Sequence, residues 1–179
     1  MSQLQTNSIV PIGGIPAGAS GGGIIQIVST TKTDTYTASI AAGSIDTSDV
    51  TGLTATITPR STSSKILVRV DIYCSTASNP TYATLYRGGS AVDGARGATA
   101  GSRQRVSGST WSSNDNYVGP ISFQYLDSPS STSSLTYSIR LSHSSSITRT
   151  VGLNIPSTDT DTNTQQRTAS SITLYEVSG

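Results

Sequence analysis

Hydrophobic and polar residues alternate with a period of two through most of this chain. In the longest run, Lys65–Cys74, every second position from Ile66 to Cys74 is apolar. Such alternation is typical of a β-strand with one buried face. Leu67 and Tyr73 fall on the opposite face, which indicates that this face is partly covered as well.

Shorter segments of the same kind follow one another along the chain. They cover residues 24–30, 34–40, 53–57, 81–87, 103–110, 121–125, 135–141, 151–155 and 172–174. Gly88 and Gly89 separate two of them and provide the positive φ that a tight hairpin needs. No segment has helical periodicity with capping residues. The sequence therefore predicts an all-β fold of nine or ten strands, an antiparallel β-sandwich of jelly-roll type.

The first 23 residues differ from the rest because glycine and proline interrupt scattered aliphatic side chains. This composition disfavours regular secondary structure. We predict an extended attachment arm over residues 1–23 and a sandwich domain over residues 24–179, with a disordered terminus as the alternative. The residues assigned to docking of the arm on a neighbouring subunit are Ile9, Val10, Pro11, Ile12, Ile15 and Pro16.

Composition narrows the function classes. Only 12% of the 179 residues are charged and the formal net charge is +1, whereas 60 residues are serine or threonine. This charge is too small for electrostatic binding of nucleic acid. No apolar run approaches the roughly 18 residues of a membrane helix, and the N-terminus lacks the features of a secretory signal. A single cysteine leaves no internal disulfide and no multi-cysteine metal site.

Candidate catalytic groups are few. His143 lies in a serine-rich segment that we interpret as a solvated loop, and no Gly-x-Ser-x-Gly motif accompanies it. Asp159 and Asp161 alternate like calcium ligands, but the glycine and glutamate of a calcium loop are missing, which favours a role in a turn. Cys74 continues the apolar row of its strand and is predicted to be a core residue. We predict no enzyme activity, no cofactor and no metal.

Arginine and tyrosine are the remaining candidates for binding. Arg96, Arg103 and Arg105 occur in a stretch rich in glycine, serine and alanine. Arginine is favoured at protein interfaces, so these three are possible surface contacts, with plain solubility as the alternative. The eight tyrosines could stack on sugars, although the alternation places several of them in the core.

A β-protein with so few charges has little protection against association. Unpaired strand edges attract one another unless lysine, proline or another segment shields them, and only Lys32 and Lys65 are available as lysines. The sequence therefore predicts that copies of this chain, or a larger assembly, cover the exposed edges.

Several segments resemble a group of small virion proteins of tailed bacteriophages, found especially among phages of cyanobacteria and aquatic bacteria. The similarity covers about residues 24–178, and the segments that show it best are 25–33, 64–70, 85–89, 125–129 and 136–140. The resemblance implies a trimeric, jelly-roll-like component of the virion and no catalytic residues. It leaves open whether such a component sits on the tail or on the capsid.

These inferences lead to three functional hypotheses. The first is a tail-fibre or adhesion module anchored by its arm, which binds host surface glycan through loops 88–101 and 157–166. The second is a capsid decoration protein that clamps neighbouring capsid subunits, and the third is a free carbohydrate-binding module. The expected partners are further copies of the chain, other virion proteins and, under the adhesion hypothesis, a host glycan, without nucleic acid or membrane insertion.

Overall fold

A computed structural model describes residues 23–45 and 48–179 of the chain. The described residues form eleven β-strands and a single short 3-10 turn at Asp93–Ala95. The strands are β1 (Ile24–Lys32), β2 (Tyr36–Ile40), β3 (Thr54–Ile57), β4 (Lys65–Thr76), β5 (Thr81–Arg87), β6 (Ser90–Ala91), β7 (Gly108–Thr110), β8 (Gly119–Asp127), β9 (Leu135–His143), β10 (Arg149–Leu153) and β11 (Ser170–Val177). Residues 1–22 of the predicted arm lie outside the described residues, and its last residue, Gly23, lies within them.

Eight of the strands form four antiparallel pairs that are nested along the chain, so the first strand pairs with the last. The outermost pair is β1 with β11, followed inward along the chain by β3 with β9, β4 with β8, and β5 with β7, all antiparallel. Two sheets result, in the orders β1-β11-β4-β8 and β3-β9-β5-β7. We call them sheet A and sheet B. This is jelly-roll pairing, so the predicted all-β sandwich is confirmed.

The other three strands extend these sheets. β10 pairs with the end of β4 and carries β2 on its other side, while β6 forms a hairpin with the end of β5. Gly88 and Gly89 of this hairpin have φ values of 56° and 80°, as the sequence indicated. The predicted strand over residues 103–110 is shorter than expected, since only Gly108–Thr110 pairs with β5.

The core lies between the two sheets and follows from the alternation. The inward side chains of β4, from Ile66 to Cys74, are at most 1% exposed. Cys74 is the last of them, and burial raises the pKa of its thiol, which keeps it protonated. The prediction that Cys74 is a core residue is therefore confirmed.

A buried polar group joins the two sheets near the end of β8. The Asp127 carboxylate, from sheet A, forms an ion pair with Arg87 and accepts a hydrogen bond from the Tyr137 hydroxyl at 2.7 Å, both from sheet B. Asp127 is 5% exposed and Tyr137 is fully buried. Burial, and then the hydrogen bond to Asp127, raises the pKa of Tyr137. We call these three residues the polar junction.

His143 provides a second polar contact between the sheets, and here the sequence-based interpretation is wrong. His143 is the last residue of β9 and is fully buried, not part of a solvated loop. Its Nε2 lies 2.8 Å from the carbonyl oxygen of Ile40, and its Nδ1 accepts a hydrogen bond from the Ser145 amide at 3.0 Å. This pattern fits a neutral imidazole that donates from Nε2.

Candidate functional site

An apolar row crosses the outer face of sheet A. The strand register places Ile27 of β1 opposite Tyr175 of β11, Tyr175 opposite Leu67 of β4, and Leu67 opposite Leu126 of β8. The two ends of the row are the most exposed, Ile27 at 58% and Leu126 at 44%. Four adjacent strands span about 14 Å in this direction.

A second, shorter apolar row lies beside the first. Ile24, which is 56% exposed, is opposite Val177, and the half-buried Val177 is opposite Lys65. The two rows together form a surface that we call the apolar patch, made of Ile24, Ile27, Leu67, Leu126, Tyr175 and Val177. The patch lies at the end of sheet A where the chain enters from residue 22.

Directly beside the patch, this outer face becomes polar and nearly neutral. The next row of outward residues contains Thr173, Arg69 and Gln124. Arg69 donates from Nε to the Asp71 carboxylate at 2.7 Å, so these two charges cancel. Lys65 is the charged residue that borders the patch directly. The electrostatic cost of bringing a second neutral surface against the patch is therefore small.

The edge beside the patch is open on one side. Within the described part of the chain, β1 pairs only with β11, so its other edge has unpaired backbone groups. Neither lysine shields this edge from outside. Lys32 at the end of β1 points inward and is 5% exposed, with its Nζ 2.6 Å from Asp34, and Lys65 lies on β4. Long unshielded edges favour pairing with another chain.

The three arginines that the sequence singled out lie in the connection between β6 and β7. Arg96 and Arg105 both form ion pairs with Asp93, and Arg105 also donates to the Gly97 carbonyl at 2.8 Å. Arg96 thereby lowers the pKa of Asp93. Arg103 is exposed and donates to the carbonyl oxygen of Ala100. All three guanidinium groups thus bond within their own connection, and Arg103 is the most exposed of them.

Asp159 and Asp161 lie in the exposed loop between β10 and β11. Asp159 forms an ion pair with Arg167 at 2.7 Å, and the adjacent Thr160 amide donates to the Gln165 side chain. Residues 23–45 and 48–179 contain no cluster of three or more His, Cys, Asp or Glu side chains suited to a metal ion. Asp159 thus serves this loop, as its assignment to a turn anticipated.

The residues assigned to docking of the arm all fall within residues 1–22, outside the described part of the chain. Gly23 belongs to the sandwich, because its carbonyl oxygen accepts a hydrogen bond from the Ser178 amide at 2.9 Å. The described chain also contains no helix long and apolar enough to cross a membrane.

The apolar patch was not identified from the sequence, although part of its signal was present. Leu67 lies on the second face of β4, and its apolar side chain indicates that this face is partly covered. Leu126 directly follows Tyr125 and breaks the alternation of that strand, which places one apolar side chain outward. The register that brings these residues together is set by pairing between distant segments and cannot be read from either segment alone.

Comparisons with known proteins add a structural similarity. No known protein family matches the chain, and no curated protein matches it. Among solved structures, the VP2 subviral particle of infectious bursal disease virus is similar, with a TM-score of 0.36 and 14% sequence identity over 85% of this chain. This chain spans 38% of the length of that VP2 chain.

Proposed function

We propose that this protein is a non-enzymatic structural subunit of a virus particle that associates with copies of itself through the outer face of sheet A. The observation that supports the self-association is the apolar patch, which places six apolar residues on one exposed face, and the sequence resemblance to small virion proteins supports the role in a particle. Contiguous exposed apolar surface on a soluble domain usually marks an interaction site.

A second copy of this chain is the occupant that fits the patch best. Ile24 and Ile27 belong both to the patch and to the open edge of β1, so the apolar surface continues into backbone donors and acceptors that no second described strand pairs. A second sandwich of the same kind offers both an apolar face and a strand edge. The net charge of +1 means that copies repel one another weakly.

Residues 1–22 fit the same proposal as an attachment segment. They precede Gly23, which lies at the start of β1 beside the patch. A chain of this length can span up to about 70 Å when extended, enough to reach a neighbouring subunit. We propose that the segment anchors the sandwich to the particle and that the sandwich acts as a tail-fibre or adhesion module.

The association is tested by sedimentation velocity of the full chain over a range of concentrations. The variant is Leu67→Thr with Leu126→Thr, since threonine suits a strand and removes most of the apolar area. Each change should weaken self-association by about tenfold. Gln124→Thr is the matched control, because Gln124 is an exposed outward residue of β8 outside the patch.

We expect the wild-type chain and the control to form the same oligomer and the double variant to dissociate. A wild-type chain that stays monomeric at every concentration would contradict self-association. A double variant that associates as tightly as the wild type would show that the patch is not the contact surface.

The virion role is tested by copy number in purified particles, measured by quantitative mass spectrometry against the major capsid protein. A ratio far below one per capsid subunit is expected for a tail-fibre protein. A ratio near one per capsid subunit, or one per few, would replace the adhesion role by capsid decoration. Absence from the particle would refute the virion role altogether.

A further inference from the structure

A recess lined by two exposed aromatic rings lies at one end of the sandwich. Trp111 directly follows β7 and Tyr117 lies two residues before β8, and both line the recess together with Asn79 and Ser112. Trp111 is 62% exposed and Tyr117 is 44% exposed. Both rings therefore present apolar surface to solvent. We call this feature the aromatic recess.

The loop that carries the two rings is held in place by its neighbours. Asp115 accepts hydrogen bonds through its carboxylate from the amide and hydroxyl of Ser78, and through its carbonyl oxygen from the Thr158 amide at 2.9 Å. Asn116 accepts a hydrogen bond from the Gln165 side chain at 3.0 Å. The loop that carries the rings is therefore hydrogen-bonded to two other loops. This restraint reduces the conformational entropy that the loop loses when a ligand binds.

Close packing beneath the recess depends on a glycine. A Cβ at Gly119 would lie 2.2 Å from the Thr110 hydroxyl oxygen, so only glycine allows β7 and β8 to approach this closely. The approach brings Trp111 and Tyr117, on the two sides of one loop, to the same recess. The geometry of the recess is thus built into the sandwich.

Several polar groups at the recess have no partner within the described residues. The Trp111 indole N–H, the Tyr117 hydroxyl and the Asn79 amide oxygen form no hydrogen bond to the described protein, while the Asn79 amide nitrogen donates to Ala77. These groups offer two donors and two acceptors beside the apolar rings. No charged side chain lines the recess.

We infer that the two exposed rings at the mouth of the aromatic recess bind a neutral glycan, which lies across them because the enclosed space behind them, about 10 Å³, holds no more than a water molecule. The C–H face of a pyranose ring packs on an exposed aromatic ring, and its hydroxyl groups exchange hydrogen bonds with indole, phenol and amide groups of this kind. Because no positive side chain lines the recess, it offers no counter-ion to a sialylated or sulfated sugar, and we expect it to prefer a neutral one. This inference rests on the proposed adhesion role and names the ligand class and the surface that the role requires.

The surface differs in part from the two loops predicted from the sequence. Loop 157–166 borders it, because Thr158 and Gln165 bond the loop that carries the rings. Loop 88–101 begins at the far end of β5, whereas the start of β5 borders the recess. Trp111 is the chain's only tryptophan, so a ligand that stacks on it changes the intrinsic fluorescence of the whole protein.

The test begins with a glycan array that carries neutral hexose oligosaccharides and their sialylated and sulfated counterparts. The neutral oligosaccharide with the strongest signal is then titrated into the full chain while the tryptophan fluorescence is recorded. We expect a saturable blue shift, with no shift from the sulfated form of the same oligosaccharide. Binding by Trp111→Ala and by Tyr117→Ala, compared by calorimetry, should be weaker by about tenfold or more.

Ile147→Ala is the control, because Ile147 is 57% exposed and lies outside both the recess and the apolar patch. Thermal unfolding confirms that each variant is folded before titration. Failure of the wild type to bind any neutral oligosaccharide, a preference for the sulfated form, or unchanged binding in both recess variants would overturn the inference. Copy number and sedimentation are independent of these readouts, so a failed glycan test leaves the proposed virion role standing, and the reverse also holds.

Discussion

The polar junction and the aromatic recess use similar side chains in opposite ways. In the junction, the Tyr137 hydroxyl and the Asp127 carboxylate are buried and bonded across the two sheets. In the recess, the Tyr117 hydroxyl and the Trp111 indole N–H are exposed and have no partner among the described residues. Paired polar groups in the interior stabilise the fold, whereas unpaired ones beside exposed rings remain available to a ligand. Mutations in the polar junction should therefore lower the free energy of unfolding, whereas mutations in the aromatic recess should weaken ligand binding and leave stability unchanged.

The largest expected effect is that of Asp127→Ala. It leaves the buried Tyr137 hydroxyl without its acceptor and Arg87 without its counter-ion, and we expect a loss of about 3 kcal/mol in the free energy of unfolding. The measurement is urea denaturation at a fixed protein concentration. Trp111→Ala is the opposing control, because it removes a larger but exposed side chain and should change stability by less than about 0.5 kcal/mol. Equal losses in the two variants would refute the distinction between junction and recess.

Tyr137→Phe should have an intermediate effect that depends on pH. At neutral pH we expect a loss of about 1–2 kcal/mol, since the Asp127 carboxylate loses one donor. Burial and the neighbouring carboxylate raise the pKa of Tyr137 in the folded state, while an unfolded tyrosine ionises near pH 10. The advantage of the wild type is therefore complete below about pH 10 and shrinks as the pH rises further.

Urea denaturation of wild type and Tyr137→Phe at about pH 8 and about pH 11 tests this dependence. The difference between the two proteins cancels the titration of the other tyrosines, which both share. A difference that stays constant, or grows, between the two pH values would contradict the role assigned to the Tyr137 hydroxyl.

Local alternation was enough to predict the fold but not the polar contacts. The run from Ile66 to Cys74 predicts a buried strand face because the period of two is a property of neighbouring residues. Asp127 and Tyr137 are only 10 residues apart in sequence, yet Arg87 is 40 residues from Asp127. Nothing local marks these three as partners, because their meeting depends on how the two sheets pack.

The error at His143 has a physical cause that the neighbouring residues do not show. A histidine among serines suggests a loop, but β9 runs on through His143 because the Ile40 carbonyl and the Ser145 amide satisfy both of its ring nitrogens in the interior. Trp111 carries no signal of its own in the sequence, since a single tryptophan is as compatible with the core as with the surface. Its position depends on the loop between β7 and β8, which is held by contacts with the distant residues Ser78 and Thr158.

The smallest expected effect on stability is that of deleting residues 1–22. This deletion tests whether the sandwich, with its polar junction and aromatic recess, folds without that segment. The hydrogen bond from Ser178 to Gly23 and the described contacts of the junction and the recess lie within the remaining chain. We expect the free energy of unfolding to change by less than about 0.5 kcal/mol and glycan binding to persist. Incorporation into particles, followed by mass spectrometry, should be lost because the proposed anchor is gone. Normal incorporation would refute the anchor, and a large loss of stability would mean that residues 1–22 complete the sandwich itself.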